Sequence, residues 1–170
     1  MLFSRRPSEL VTPEKALRGR DTYEHAVPAT HFISGRPISP PFPDGLQSVV
    51  FGSGCFWGTE EIFWQTAGVW TTAVGYAGGM TQHPSYEEVC SGMTGHTEAV
   101  LVVYDPALTS FAQLLRLFFE THDPTQGMRQ GNDVGSQYRS AIYYSDESQR
   151  ELAEGAKAAY SAKLEAEGYG

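Results

Sequence analysis

From Ser48 onward the apolar positions fall into regular periods, and those periods predict the elements of a layered fold. Ser48-Val49-Val50-Phe51 reads as a short apolar strand, closed by Gly52-Ser53-Gly54. A helical run follows from about Phe56 to Ala67, with Phe56 and Phe63 on one face and Trp57 and Trp64 on the adjoining one. Val69 to Tyr76 is rich in β-branched residues and strand-like, and Gly78-Gly79 ends it. Ser85 to Cys90 is long enough for a short helix. Thr97 to Tyr104 is almost unbroken apolar after Glu98, the pattern of a strand buried on both faces, and Asp105-Pro106 stops it. Ser110 with Gln113 makes a capping box, and Phe111, Leu114, Leu115 and Phe118 mark one helical face. Asp123-Pro124 closes that helix, a polar glycine-rich loop runs from Gln126 to Gln137, and Arg139 to Tyr144 is the next strand. Asp146 and Gln149 open a last helix reaching about Glu167. Strands alternating with helices predict an α/β layered domain with one sheet, its strand order left open.

The stretch before this pattern differs in kind. Residues 1–47 hold seven of the ten prolines, Pro37, Pro40, Pro41 and Pro43 among them, and predict an extended arm lying on the domain. At 170 residues the chain has room for a single core, and 41% hydrophobic with 19% charged residues is ordinary for a globular protein. A formal charge of -8, without a basic run, works against phosphate-backbone binding, so no nucleic-acid partner is expected. Nothing is long or apolar enough to span a bilayer, so no membrane partner is expected either. Arg5-Arg6 has the look of an export signal, but Pro7 follows at once and no apolar run comes after, so the pair reads as solvated surface. Two cysteines, Cys55 and Cys90, are too few for a disulfide scaffold, and a cytoplasmic chain with free thiols is expected.

Cys55 is the chemically suggestive residue. It lies at a strand-to-helix turn, where unpaired backbone N–H groups and the positive end of the helix favour negative charge on sulfur. The competing reading is a buried structural cysteine, and position alone leaves the two about even. Phe56 and Trp57 read as core by their spacing; beside a reactive sulfur they would equally bind a small apolar group such as a methyl. Glu98 shares a strand face with Val100, Val102 and Tyr104, where desolvation favours its protonated form, although a strand-end surface carboxylate is the commoner case. No H-E-x-x-H run or paired Cys/His spacing suggests a metal, and no cofactor is expected.

Gly54-Cys55-Phe56-Trp57-Gly58 resembles the signature of the A-type peptide methionine sulfoxide reductases. The resemblance continues in one order through Gly75-Tyr76-Ala77-Gly78-Gly79, Tyr86-Glu87-Glu88-Val89-Cys90-Ser91-Gly92 and Gly95-His96-Thr97-Glu98-Ala99-Val100. It ends with His122-Asp123-Pro124, Gln130-Gly131-Asn132-Asp133 and Gly135-Ser136-Gln137-Tyr138-Arg139-Ser140, spanning residues 48–145. It implies a ferredoxin-like two-layer α+β sandwich with a single mixed sheet, a catalytic domain over 48–170, and reduction of methionine-S-sulfoxide in proteins and as the free amino acid. By the same resemblance Cys55 is the nucleophile that passes through a sulfenic acid, and Glu98 is the acid and oxygen anchor. Tyr86 and Tyr138 bind the sulfoxide oxygen, Phe56 and Trp57 hold the methyl group, and Asp133 helps to position the substrate or a water. Cys90 is assigned to packing and His96 to shaping the site.

Members of that family usually carry a further C-terminal segment with one or two resolving cysteines, whereas no cysteine follows Cys90 here. Either the chain is a truncated form lacking that tail, or its sulfenic acid is resolved by Cys90 or by an external thiol, thioredoxin or another dithiol; separately, a monomer is expected. Two rival readings are a Cys-dependent acyl transferase, which needs a histidine base not identifiable near the motif, and a non-catalytic binder of oxidised methionine.

Overall fold

The computed structural model describes residues 9–169; Arg5-Arg6 lies outside them. The chain runs β1 (Gln47–Ser53), α1 (Phe56–Trp64), β2 (Val69–Ala77), α2 (Tyr86–Cys90), β3 (Thr97–Tyr104) and α3 (Phe111–Thr121). A hairpin of β4 (Arg129–Gln130) and β5 (Asp133–Val134) follows, then β6 (Ser140–Tyr143) and α4 (Glu147–Ala166). The four-stranded sheet has the order β2-β3-β1-β6. Crossovers through α1 and α3 each return a strand parallel to the one it left but one position removed, which is the ferredoxin-like split arrangement that the resemblance implies. One detail differs from expectation. The sheet is not mixed: each hydrogen-bonded pair is antiparallel, because β3 separates β1 from β2 and β1 separates β3 from β6.

Register explains the core. Val49 stands opposite Val102 and Phe51 opposite Val100, so these four side chains leave the sheet on one face, together with Tyr104. Phe56 and Phe63 of α1, and Phe111, Leu114, Leu115 and Phe118 of α3, close over them. The Phe51 ring lies stacked at 5.0 Å from Phe63 and 5.1 Å from Phe118. The phenylalanine face of α1 is thus core, and the tryptophan face leaves Trp57 66% exposed. Three helices start on side-chain caps: Ser85 with Glu88, Ser110 with Gln113, and Asp146 accepting from the Gln149 amide. Helix α1 stops at Trp64, three residues before the expected end, because Thr66 and Val69 tighten into turns on Phe63 O and Thr66 O.

Residues 9–46 carry only an isolated bridge, Thr30 with Pro37. They lie along the domain, tied by Leu17 N–H to Met93 O, by the Arg20 guanidinium to Glu88, and by Arg36 to Trp70 O. His31 Nε2 reaches Glu60 of α1 at 3.6 Å, both side chains being buried. Among the described residues no helix is long and apolar enough to cross a membrane.

Candidate active site

The turn between β1 and α1 sets the nucleophile. Gly54 has φ +97, and a Cβ there would lie 2.6 and 2.8 Å from Cγ and Cβ of Gln130, so this position requires glycine. Cys55 is the N-cap of α1, yet its side chain makes no capping hydrogen bond, and it is exposed. The helix start is fixed instead by Thr59, whose hydroxyl meets Ser53 Oγ at 2.8 Å and donates to Cys55 O at 3.3 Å. The sulfur is therefore presented to solvent from a braced backbone.

Glu98 meets the same helix end from β3. It is only 3% exposed, and its Oε2 accepts the Phe56 N–H at 3.0 Å, so an amide directly after the cysteine is bound by a buried carboxyl group. Burial holds that carboxyl above the usual carboxylate range; the charge of Asp133 pushes the same way, and the Phe56 N–H opposes them.

Phenols surround this carboxyl. Tyr86 opens α2 and is exposed, and the Cys90 sulfur one turn on pushes its hydroxyl up to about 12. Tyr138 ends the 3₁₀ turn Ser136–Tyr138, which Thr97 of β3 holds by donating to Gln137 O at 2.8 Å. Its hydroxyl is raised by burial first and then by the charges of Glu98 and Asp133. Asp133 projects from β5, on the hairpin that also carries Gln130. Glu98, Tyr86 and Tyr138 thus lie within electrostatic range of one another, Asp133 acts on Glu98 and Tyr138, and Phe56 and Cys55 stand at the adjoining helix end. Phe56 is buried and meets Trp57 edge-on at 5.3 Å, and the indole is exposed.

Two residues stand differently from the sequence reading. Tyr76 received no role, yet in β2 it is the direct cross-strand partner of Glu98. Its hydroxyl is pushed up to about 12 by burial and then by Glu98. The signal for it was the Gly75-Tyr76-Ala77 run; without the register, nothing ties that run to Glu98. His96 points away: it accepts from Gly79 N–H at 3.1 Å, and its other ring nitrogen lies 2.8 Å from Thr81 O. Among the described residues no group of His, Cys, Asp and Glu could hold a metal ion.

An exposed, uncapped thiol at a helix start, beside a buried carboxyl and phenols raised above their ordinary range, is the arrangement that thiol chemistry with a proton donor requires. His31, His96 and His122 are each engaged elsewhere and the His83 ring lies edge-on to Tyr23 at 4.2 Å, so none of these four is set as the base of a Cys-His hydrolytic pair. A model of the family described as peptide methionine sulfoxide reductase matches residues 47–168. The chain belongs to that family. The peptide methionine sulfoxide reductase MsrA of Azorhizobium caulinodans is 58% identical, over 100% of this chain and 78% of its own length. The solved methionine sulfoxide reductase A of Corynebacterium diphtheriae superposes with a TM-score of 0.89 at 45% identity, over 95% of this chain and 76% of that one. Mxr1 of Saccharomyces cerevisiae, solved in complex with Trx2, is more distant, with a TM-score of 0.51 and 26% identity over 72% of this chain and 70% of that one.

Proposed function

We propose that this chain reduces methionine-S-sulfoxide, in oxidised proteins or peptides and as the free amino acid, with Cys55 as nucleophile and Glu98 as acid. The single observation that carries this reading is the 3.0 Å bond from Phe56 N–H to Glu98 Oε2, which brings a buried carboxyl to the residue after the exposed thiol. The Cys55 thiolate attacks the sulfoxide sulfur, and Glu98 donates its proton to the sulfoxide oxygen. The attack joins the two sulfurs; that bond and the substrate S–O bond then break as the protonated oxygen passes to Cys55 as a sulfenic acid, and the thioether leaves with the electron pair. Substrate sulfur is reduced by two electrons and Cys55 sulfur is oxidised by two.

Burial serves the acid role: a carboxyl held above its ordinary range keeps a proton to give. The hydroxyls of Tyr86 and Tyr138, protonated at working pH, hydrogen-bond the oxygen as it gains charge. Phe56 and Trp57 hold the methyl group, and Asp133 orients substrate or a water. Residues 48–170 are the catalytic domain, preceded by the arm. Thioredoxin or another dithiol returns Cys55 to the thiol; the solved complex of the yeast relative Mxr1 with Trx2 supports that choice. The protein acts as a cytoplasmic monomer.

The test is stereochemical. With a dithiol present, the S-sulfoxide of a blocked methionine is consumed, the R-sulfoxide persists, and Cys55→Ser consumes neither. Equal consumption of both epimers, or turnover by Cys55→Ser, contradicts the proposal.

A further inference from the structure

Tyr76 has no part in the reaction as written, although the fold sets it against the acid. It faces Glu98 across the β2–β3 ladder, so both side chains leave the sheet on the same face, with Cβ atoms about 5 Å apart. Its ring lies 5.9 Å from that of Phe56, tilted by 31°, and packs on the core while remaining partly exposed. Phe56 in turn holds the Glu98 carboxyl through its N–H. β2 is an edge strand, and among the described residues no further strand lies beyond it to cover Glu98. Towards β1 the ladder ends at Phe51 opposite Val100, two residues short of Glu98. On the β2 side the bulk between Glu98 and solvent is therefore the phenol ring.

We propose that Tyr76 is a positioning residue for the sulfoxide chemistry: its ring, braced by Phe56, seals the β2 side of Glu98 against water and keeps that carboxyl in its proton-donating form. The inference rests on the reading of Glu98 as the acid. Other titratable groups around the carboxyl are Tyr86 from α2, Tyr138 from the 3₁₀ turn, Asp133 from β5 and the Cys55 thiol at the start of α1. The phenols stay neutral at working pH, and Asp133 acts in the same direction as burial. What removal of the ring changes is hydration. The Tyr76 hydroxyl, itself pushed up to about 12, contributes no charge.

The experiment follows the Glu98 side-chain carboxyl by carbon-13 NMR against pH, assigned by its absence in Glu98→Gln, beside the single-turnover rate on the S-sulfoxide. Tyr76→Ala admits water and lowers the Glu98 midpoint by about one unit, and above that midpoint the rate falls about tenfold with the protonated fraction. Tyr76→Phe, which keeps the ring, leaves midpoint and rate near wild type. If Tyr76→Ala does not fold, Tyr76→Val, suited to an edge strand, gives the same comparison. An unmoved midpoint in the small-residue variant, or an equal shift in Tyr76→Phe, overturns the role of the ring. A lowered midpoint with an unchanged rate overturns instead the reading of Glu98 as the acid.

Discussion

Glu98→Gln removes one transferable proton and almost nothing else. The amide is isosteric, and its oxygen can still accept the Phe56 N–H now bound at 3.0 Å, so the start of α1 keeps its anchor. General acid catalysis contributes about 10²- to 10⁴-fold, and the loss is expected at the lower end because the Tyr86 and Tyr138 hydroxyls remain to bind the oxygen. That is about 100-fold, or about 2.7 kcal/mol on the barrier. Folding stability moves the other way. Burial raises the Glu98 carboxyl in the folded state, so its contribution is fully present below its ordinary value of 4.5 and is lost as pH rises through the folded value. Glutamine does not titrate, and the variant gains stability relative to wild type as pH climbs above that ordinary value. Rapid-quench single turnover on the S-sulfoxide of a blocked methionine measures the rate, and fluorescence of the exposed Trp57 measures binding. A rate within about threefold of wild type, or a rate loss matched by an equal loss of affinity, refutes general acid catalysis by Glu98.

Gly54→Ala forces a Cβ to 2.6 and 2.8 Å from Gln130 at a φ of +97, a cost of about 1–3 kcal/mol; calorimetry then reads a lower Tm, and an unchanged Tm contradicts the strain. His122 lies between Phe118 O and Ser140 Oγ, and burial lowers its pKa, so the stability it gives is full above about 6.5 and is lost as pH falls towards the folded value. His122→Gln removes that slope, and melting points of the two proteins between neutral and mildly acidic pH, falling in parallel, exclude the effect. Cys90→Ser keeps multiple turnover with an added dithiol, because the external thiol attacks Cys55 directly; intact single turnover with lost recycling assigns the resolving role to Cys90.

Much of this architecture is written in local pattern. The apolar run of β3, the Ser110–Gln113 capping box and the Phe111–Phe118 face are short-range signals, and β3 and α3 lie within a residue or so of their predicted places. Hairpin β4–β5 escaped because strands of two residues carry no period. The site was partly legible for another reason: Cys55 sits at a turn whose chemistry is local, whereas Glu98, Tyr86 and Tyr138 came from the family resemblance. The contact that joins them, Phe56 N–H to Glu98, spans 42 positions, and no local rule reaches that far. Tyr76 depends on register in the same way. As an aromatic in a β-branched strand it reads as half-buried packing; the ladder to β3 puts it opposite Glu98.

The central claim is that oxygen passes from substrate sulfur to Cys55. Mass spectrometry of the reduced protein after one equivalent of methionine-S-sulfoxide, without reductant and with a sulfenate trap, tests it directly. The account predicts one trapped adduct on Cys55, none on Cys90, and one equivalent of methionine released. Methionine released with Cys55 unmodified, or Cys55 unmodified with the sulfoxide bound and intact, contradicts it.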